Sequence, residues 1–182
     1  NNGPPLDYDE GPTWSPDGLK ICYVGCQELW IIDASGGRPK QITYDGCFKV
    51  EPVWSPDGRQ IYYSSLAGGA RALWRISLAG GSPERVTDGT GNESHPSVSR
   101  DGRLLAYATD STERGIVIVD RQSGARNLIP GRQWFMPSIS KDGARVVFIL
   151  MRSGSYASLW IQLLENGSPV GTPSLLAGLD DG

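Results

Sequence analysis

The sequence predicts an all-β fold of repeated four-stranded sheets, and three observations carry that prediction. One seven-residue phrase occurs four times: Pro12-Thr13-Trp14-Ser15-Pro16-Asp17-Gly18, Pro52-Val53-Trp54-Ser55-Pro56-Asp57-Gly58, Pro96-Ser97-Val98-Ser99-Arg100-Asp101-Gly102 and Pro137-Ser138-Ile139-Ser140-Lys141-Asp142-Gly143. Its Asp-Gly pairs lie 40, 44 and 41 residues apart, a period that marks propeller-type arrays. Around each pair the apolar residues recur two apart, as on one face of a strand, and no stretch has helical spacing.

Each copy begins with a first strand ending at Trp14, Trp54, Val98 or Ile139. The Ser-x-Asp-Gly that follows suits a type I turn, with Gly fourth. Arg100 and Lys141 replace Pro at its second position, which that turn tolerates. A second strand carries an aliphatic four residues after the Asp (Ile21, Ile61, Leu105, Val146) and an aromatic six after it (Tyr23, Tyr63, Tyr107, Phe148). The third strand is Leu29-Trp30-Ile31-Ile32, Leu73-Trp74-Arg75-Ile76, Ile116-Val117-Ile118-Val119 or Leu159-Trp160-Ile161-Gln162. Glycine-bearing turns then lead to a short fourth strand at Gln41-Ile42-Thr43, Arg85-Val86-Thr87, Asn127-Leu128-Ile129 and Ser174-Leu175-Leu176. Four antiparallel strands per unit make a β-propeller of four blades. The blades span about 12–45, 52–89, 96–130 and 137–178, after a lead-in at 1–11 and before a tail at 179–182.

The phrase Trp54-Ser55-Pro56-Asp57-Gly58, then Leu73-Trp74, then Gly80-Gly81-Ser82-Pro83-Glu84-Arg85-Val86-Thr87 resembles the WD40-like (PD40) repeats of TolB-type propellers. The first copy matches as well, through Trp14 to Gly18, Leu29-Trp30 and Gly36 to Thr43, whereas the third lacks Trp and Pro and the fourth ends irregularly. The resemblance spans residues 6–178. It implies a fold far more than an activity, because members include periplasmic interaction proteins, sensory propellers of regulators and kinases, and gating propellers of serine peptidases.

A chain of 182 residues can bury a substantial core, and six Trp at mainly repeat positions are assigned to it. The net charge of −3 comes without a basic stripe, which argues against nucleic-acid binding. No apolar run reaches membrane-span length, and Asn1-Asn2-Gly3-Pro4-Pro5 is no signal peptide. The absent initiating Met suggests a processed product or a piece of something longer. Cys22, Cys26 and Cys47 give neither a disulfide framework nor a zinc site, and are read as structural or free thiols.

Each blade is apolar on both faces and needs a neighbour on either side. The chain starts on a first strand and stops after a fourth, so no strand remains to complete a blade from the other terminus. Three arrangements stay open: a closed four-bladed ring, an eight-bladed ring of two chains, or part of a larger propeller. Terminal blade faces are thus candidate sites of self-association or ring closure.

Catalytic signals are missing. The chain has one histidine, His95, and no nucleophile elbow, H-E-x-x-H or phosphate-cradling loop. Asp7, Asp9 and Glu10 could offer oxygens to Ca²⁺ but complete no known loop. No catalytic residue, metal or cofactor is assigned. The residues before each repeat Pro lead into the first strands and converge at one end of the propeller axis. There Glu10, Glu51, His95 and Trp134 would offer two carboxylates, an imidazole and an aromatic ring to a ligand or peptide. The expected function is a non-enzymatic scaffold for protein or peptide partners. The alternatives are a non-catalytic gating or sensor propeller of a peptidase, receptor kinase or transcriptional regulator, and, with less support, a glycan-active propeller.

Overall fold

The structure is a computed structural model that describes residues 10–110, 114–151 and 157–178. Its contacts divide the chain into two compact units, 1–90 and 91–182. Unit 1 holds two sheets. The first comprises β1 (Glu10–Trp14), β2 (Lys20–Gly25), β3 (Glu28–Asp33) and β4 (Lys40–Gln41). The second comprises β5 (Lys49–Trp54), β6 (Gln60–Ser65), β7 (Ala72–Ser77) and β8 (Glu84–Arg85). Unit 2 repeats the plan with β9 (Ser94–Val98), β10 (Leu104–Asp110), β11 (Arg114–Asp120) and β12 (Arg126–Pro130). Its last sheet is β13 (Trp134–Ile139), β14 (Arg145–Met151), β15 (Ala157–Glu165) and β16 (Ser168–Gly178). Every sheet is an antiparallel meander in chain order, so the four expected blades are present, and the described residues contain no helix.

The repeated phrase is a self-contained hydrogen-bonded turn. In each copy the Gly N–H donates to the Ser carbonyl (Gly18 to Ser15 2.9 Å, Gly58 to Ser55 2.9 Å, Gly102 to Ser99 2.8 Å, Gly143 to Ser140 2.9 Å). The Ser hydroxyl donates to the Asp carboxylate at 2.5–2.6 Å. The same hydroxyl accepts the N–H that opens the second strand, at 2.8–2.9 Å. Each turn Gly has φ between 69° and 73°, a left-handed conformation that a side chain would strain. Ser and Asp are therefore fixed by the turn's own hydrogen bonds, whatever the blade packs against.

A second repeated signal closes each blade of unit 1. The hydroxyls of Thr43 and Thr87 accept the N–H groups of Leu29 and Leu73, at 2.8 and 2.9 Å. Short outer strands are thereby tied to the third strand beyond their ladder pairs. The fourth strand of blade 4 is the exception, running eleven residues with two register shifts.

One core lies between the sheets of each unit. In unit 1, Cys22, Val24 and Leu29 of blade 1 pack on Trp54, Ile61, Tyr63 and Ile76 of blade 2. In unit 2, Ala106, Ile116 and Ile118 of blade 3 pack on Ile139, Val146, Phe148 and Leu164 of blade 4. Burying each large side chain contributes about 1.5–3 kcal/mol. Trp54 also fastens the blades together, since its indole N–H donates to the Thr13 carbonyl of blade 1 at 3.0 Å. Blade 4 is fastened to blade 3 by the Ile139 N–H, which donates to the Ser97 hydroxyl at 3.1 Å. Assigning all Trp to the core requires one correction: Trp14 is 61% exposed, since it packs in neither of the two cores.

Candidate functional site: a left-handed bulge in every first strand

Each first strand pairs with the second through a one-residue bulge at the same place. Three residues oppose two between Glu10 and Thr13, Val50 and Val53, Ser94 and Ser97, and Phe135 and Ser138. The residue preceding the repeat Pro sits in the bulge with positive φ: Gly11 61°, Glu51 58°, His95 54° and Met136 54°. A left-handed backbone costs a non-glycine residue about 1–2 kcal/mol. Glycine meets that requirement without penalty in blade 1, whereas the other blades hold a carboxylate, an imidazole and a thioether there. Bulges re-aim side chains, and strained residues gather at functional positions. The Pro that follows removes a donor from the interrupted ladder.

Of the expected site residues, Glu51 and His95 occupy this bulge. Glu51 accepts a hydrogen bond from the fully buried Ser64 hydroxyl at 3.0 Å, which holds its carboxylate against the second strand. His95 places Nδ1 3.0 Å from the Ser94 hydroxyl, and its ring meets Phe135 edge-on at 6.0 Å. Glu10 lies one residue before a bulge, its backbone paired with Val24. Asp7 and Asp9 fall outside the described residues. Trp134 lies two residues before a bulge and stacks on Phe148 with ring centroids 4.5 Å apart. A Cβ on Gly131 would come within 2.3 Å of that indole, so the Trp is wedged against the core of unit 2. Each unit thus brings together two first strands. In unit 1 the Gly11 α-carbon faces Pro52 and Glu51, with an added Cβ 3.3 Å from Pro52 Cδ. In unit 2 His95 faces Phe135. These residues lie inside the strands, where the sequence placed them on converging loops, because the bulge lets pairing continue through the Pro.

Trp134 shares its repeat position with Lys49 and Glu93, and this position anchors the strand. Lys49 is fully buried and its ammonium is 3.1 Å from Glu28 Oε2, with Asp45 as a second carboxylate partner. It also donates to the carbonyls of Cys47 at 2.9 Å and Gln27 at 3.4 Å. Glu28 further accepts the Thr43 hydroxyl and the Gly46 N–H, each at 2.5 Å. Burial first, then the charges of Asp45 and Glu28, push the Tyr63 phenol well above its ordinary range. The residues 44–48 joining the two blades are therefore clamped by a buried ion cluster. Nothing in the local pattern announced it, since Glu28, Asp45 and Lys49 come from different strands and a loop. Elsewhere burial pushes the Cys22 thiol up to about 12. The described residues contain no group of three His, Cys, Asp or Glu side chains able to hold a metal ion.

A family model for the TolB β-propeller domain (PD40) matches residues 7–168, almost the whole repeat array. The chain belongs to the TolB β-propeller domain family. Among solved structures, TolB from Acinetobacter baumannii superposes with a TM-score of 0.78 at 23% identity, over 94% of this PD40 chain and 44% of that one. A puromycin-hydrolyzing peptidase of Mycobacterium tuberculosis gives 0.73 at 16%, over 94% and 29%. A chain of a nidogen/laminin complex gives 0.69 at 9%, over 87% and 61%. At these identities the likeness is one of fold. The chain spans less than half of the Acinetobacter TolB. No curated protein matches it. No helix among the described residues of this PD40 propeller chain is long and apolar enough to cross a membrane.

Proposed function

We propose that this PD40 chain is a non-enzymatic binding module that recognises protein or peptide partners through its bulged first strands. The observation that carries the reading is the left-handed bulge, kept in all four blades while its side chain changes from Gly to Glu, His and Met. An invariant backbone bearing variable chemistry suits recognition. In unit 1 the polar contact of this surface is Glu51, and in unit 2 it is His95. In unit 2 Phe135, edge-on to His95, supplies its apolar part, while Trp134 holds the strand against the core. Selection of a displayed peptide library on the intact chain tests the reading. Enriched peptides should lose at least about tenfold in affinity for the Glu51→Ala/His95→Ala variant, about 1.4 kcal/mol. Equal affinity for parent and variant would refute it.

A second reading, a gating or sensor propeller of a larger protein, is supported by the fold shared with the mycobacterial peptidase, of which this chain matches 29%. The exposed Trp14 favours a further β-blade as a neighbour in either case. Its counterpart Trp54 is 6% exposed and bonded to the blade before it. Sedimentation of the chain and of Trp14→Glu tests this, with self-association expected in the parent and lost in the variant.

A further inference from the structure

A cleft of about 450 Å³ opens within unit 1, between the outer half of blade 1 and the β7–β8 turn of blade 2. That volume lies in the range of small-molecule sites, roughly 300–1,000 Å³. Its floor is apolar, formed by Ile31 and Ile42 of blade 1 and Ile76 and Leu78 of blade 2. Its rim carries Lys20, Arg38 and Lys40 against a single carboxylate, Asp33. Lys20 is neutralised by Asp33 at 2.5 Å, which leaves the guanidinium of Arg38 and the ammonium of Lys40 as the charge excess. This local surplus of two positive charges stands on a chain of net charge −3.

The corresponding place in unit 2 is filled. Lys20 opens β2 as Leu104 opens β10, and Lys40 pairs with Ile31 as Asn127 pairs with Ile118. Leu104 lies under the turn of blade 4, where a Cβ added to Gly167 would come within 2.8 Å of its Cδ2. Asn127 then stitches that turn down by donating to the Gly167 carbonyl at 3.3 Å. In unit 1 the equivalent turn is Gly80-Gly81, and Cβ atoms added there would meet nothing within 4 Å. Where unit 2 has an apolar plug and a polar stitch beneath a turn that runs straight into its long last strand, unit 1 has two lysines beneath an open glycine turn, and the cleft there is both open and charged.

We propose that this cleft binds a small organic anion with an apolar body, of the aryl- or alkyl-carboxylate class. The apolar body lies on the isoleucine floor and the carboxylate meets Arg38 and Lys40, an arrangement in which charge-assisted hydrogen bonds fix the orientation. The test is a ¹⁵N–¹H shift titration of the chain with 4-phenylbutyrate, alongside its neutral isostere 4-phenylbutanamide. Shifts are expected at the amides of Ile42, Leu78, Gly80 and Gly81, with the amide isostere binding at least about tenfold more weakly. Arg38→Gln/Lys40→Gln should weaken 4-phenylbutyrate by a similar factor with an unchanged melting temperature. Lys20→Leu, which installs the plug of unit 2, should abolish the shifts while the remaining spectrum stays that of the folded parent. Shifts mapping elsewhere, equal binding of the neutral isostere, or charge-neutral variants that bind as the parent does would each overturn the proposal.

Discussion

Replacing Lys49 by Met should be among the most damaging single changes in unit 1, although Lys49 touches no expected ligand. Met keeps most of the stem's volume but removes the ammonium, which lies 3.1 Å from Glu28 and bonds the carbonyls of Cys47 and Gln27. Asp45 is partly exposed and can turn to water. Glu28 is 7% exposed and cannot. Its carboxylate would keep the Thr43 hydroxyl and the Gly46 N–H, yet lose the counter-charge that the Lys49 ammonium supplies. Breaking a buried pair by removing one partner costs about 3–5 kcal/mol. At about 2–4 °C per kcal/mol for a chain of this length, the melting temperature should fall by roughly 6–20 °C. The double variant Lys49→Met/Glu28→Gln should recover much of that loss, because the neutral amide can still accept from Gly46 and leaves no charge stranded. Thermal unfolding followed by circular dichroism, for the four members of the cycle, measures both quantities. A single variant as stable as the parent, or a double variant no better than the single, would show that the cluster is not the clamp described.

Other outcomes follow from the turns, thiols and bulges. Asp17, Asp57, Asp101 and Asp142 have carboxyls held below the usual range, first by the Ser hydroxyl and then by a backbone N–H. Folded values below the unfolded value of about 3.9 mean that their stabilisation is complete above roughly pH 4 and is lost as the pH falls through the folded values. Asp57→Asn should therefore lower stability at neutral pH and flatten its decline in acid, and parallel stability curves would contradict this. Alkylation followed by mass spectrometry should label the exposed Cys26 first, Cys47 more slowly and Cys22 only on unfolding, since burial pushes that thiol up to about 12. Gly11→Ala should destabilise by about 1–2 kcal/mol, from its left-handed φ and the Pro52 contact. His95→Gly should leave the unfolding free energy from denaturant titration within about 1 kcal/mol of the parent, because relief of strain offsets the added freedom of glycine. A large loss there would mean that the His95 side chain serves stability.

The strand order and turns were legible because they rest on local chemistry. Ser55-Pro56-Asp57-Gly58 closes its own hydrogen bonds, and the period-2 pairs Ile61 and Tyr63 follow from strand geometry alone. The bulge was not legible in the same way. Glu51-Pro52 and His95-Pro96 read as loop ends, since a residue before Pro is ordinarily extended and left-handed Glu or His is uncommon. One signal was available: blade 1 has Gly where the others have Glu, His and Met, and a glycine aligned with side chains before an invariant Pro hints at positive φ. Trp134 was grouped with Glu51 by nearness to Pro, but counting back from Pro137 puts it in register with Lys49, at the anchoring position. The Lys49 cluster was out of reach because its partners meet only after blades 1 and 2 pack.

The Trp54 fastener gives unit 1 a direction. Blade 2 reaches backward to a carbonyl of blade 1, as blade 4 does to a hydroxyl of blade 3, so in each unit the later blade supplies the link. Growth by tandem duplication would then be tolerated in steps of one sheet, while indels of a few residues inside a period would break the register of the turn. Diversity in such a lineage should accumulate as changes in copy number and at the strained bulge positions, with the turns between them left nearly constant.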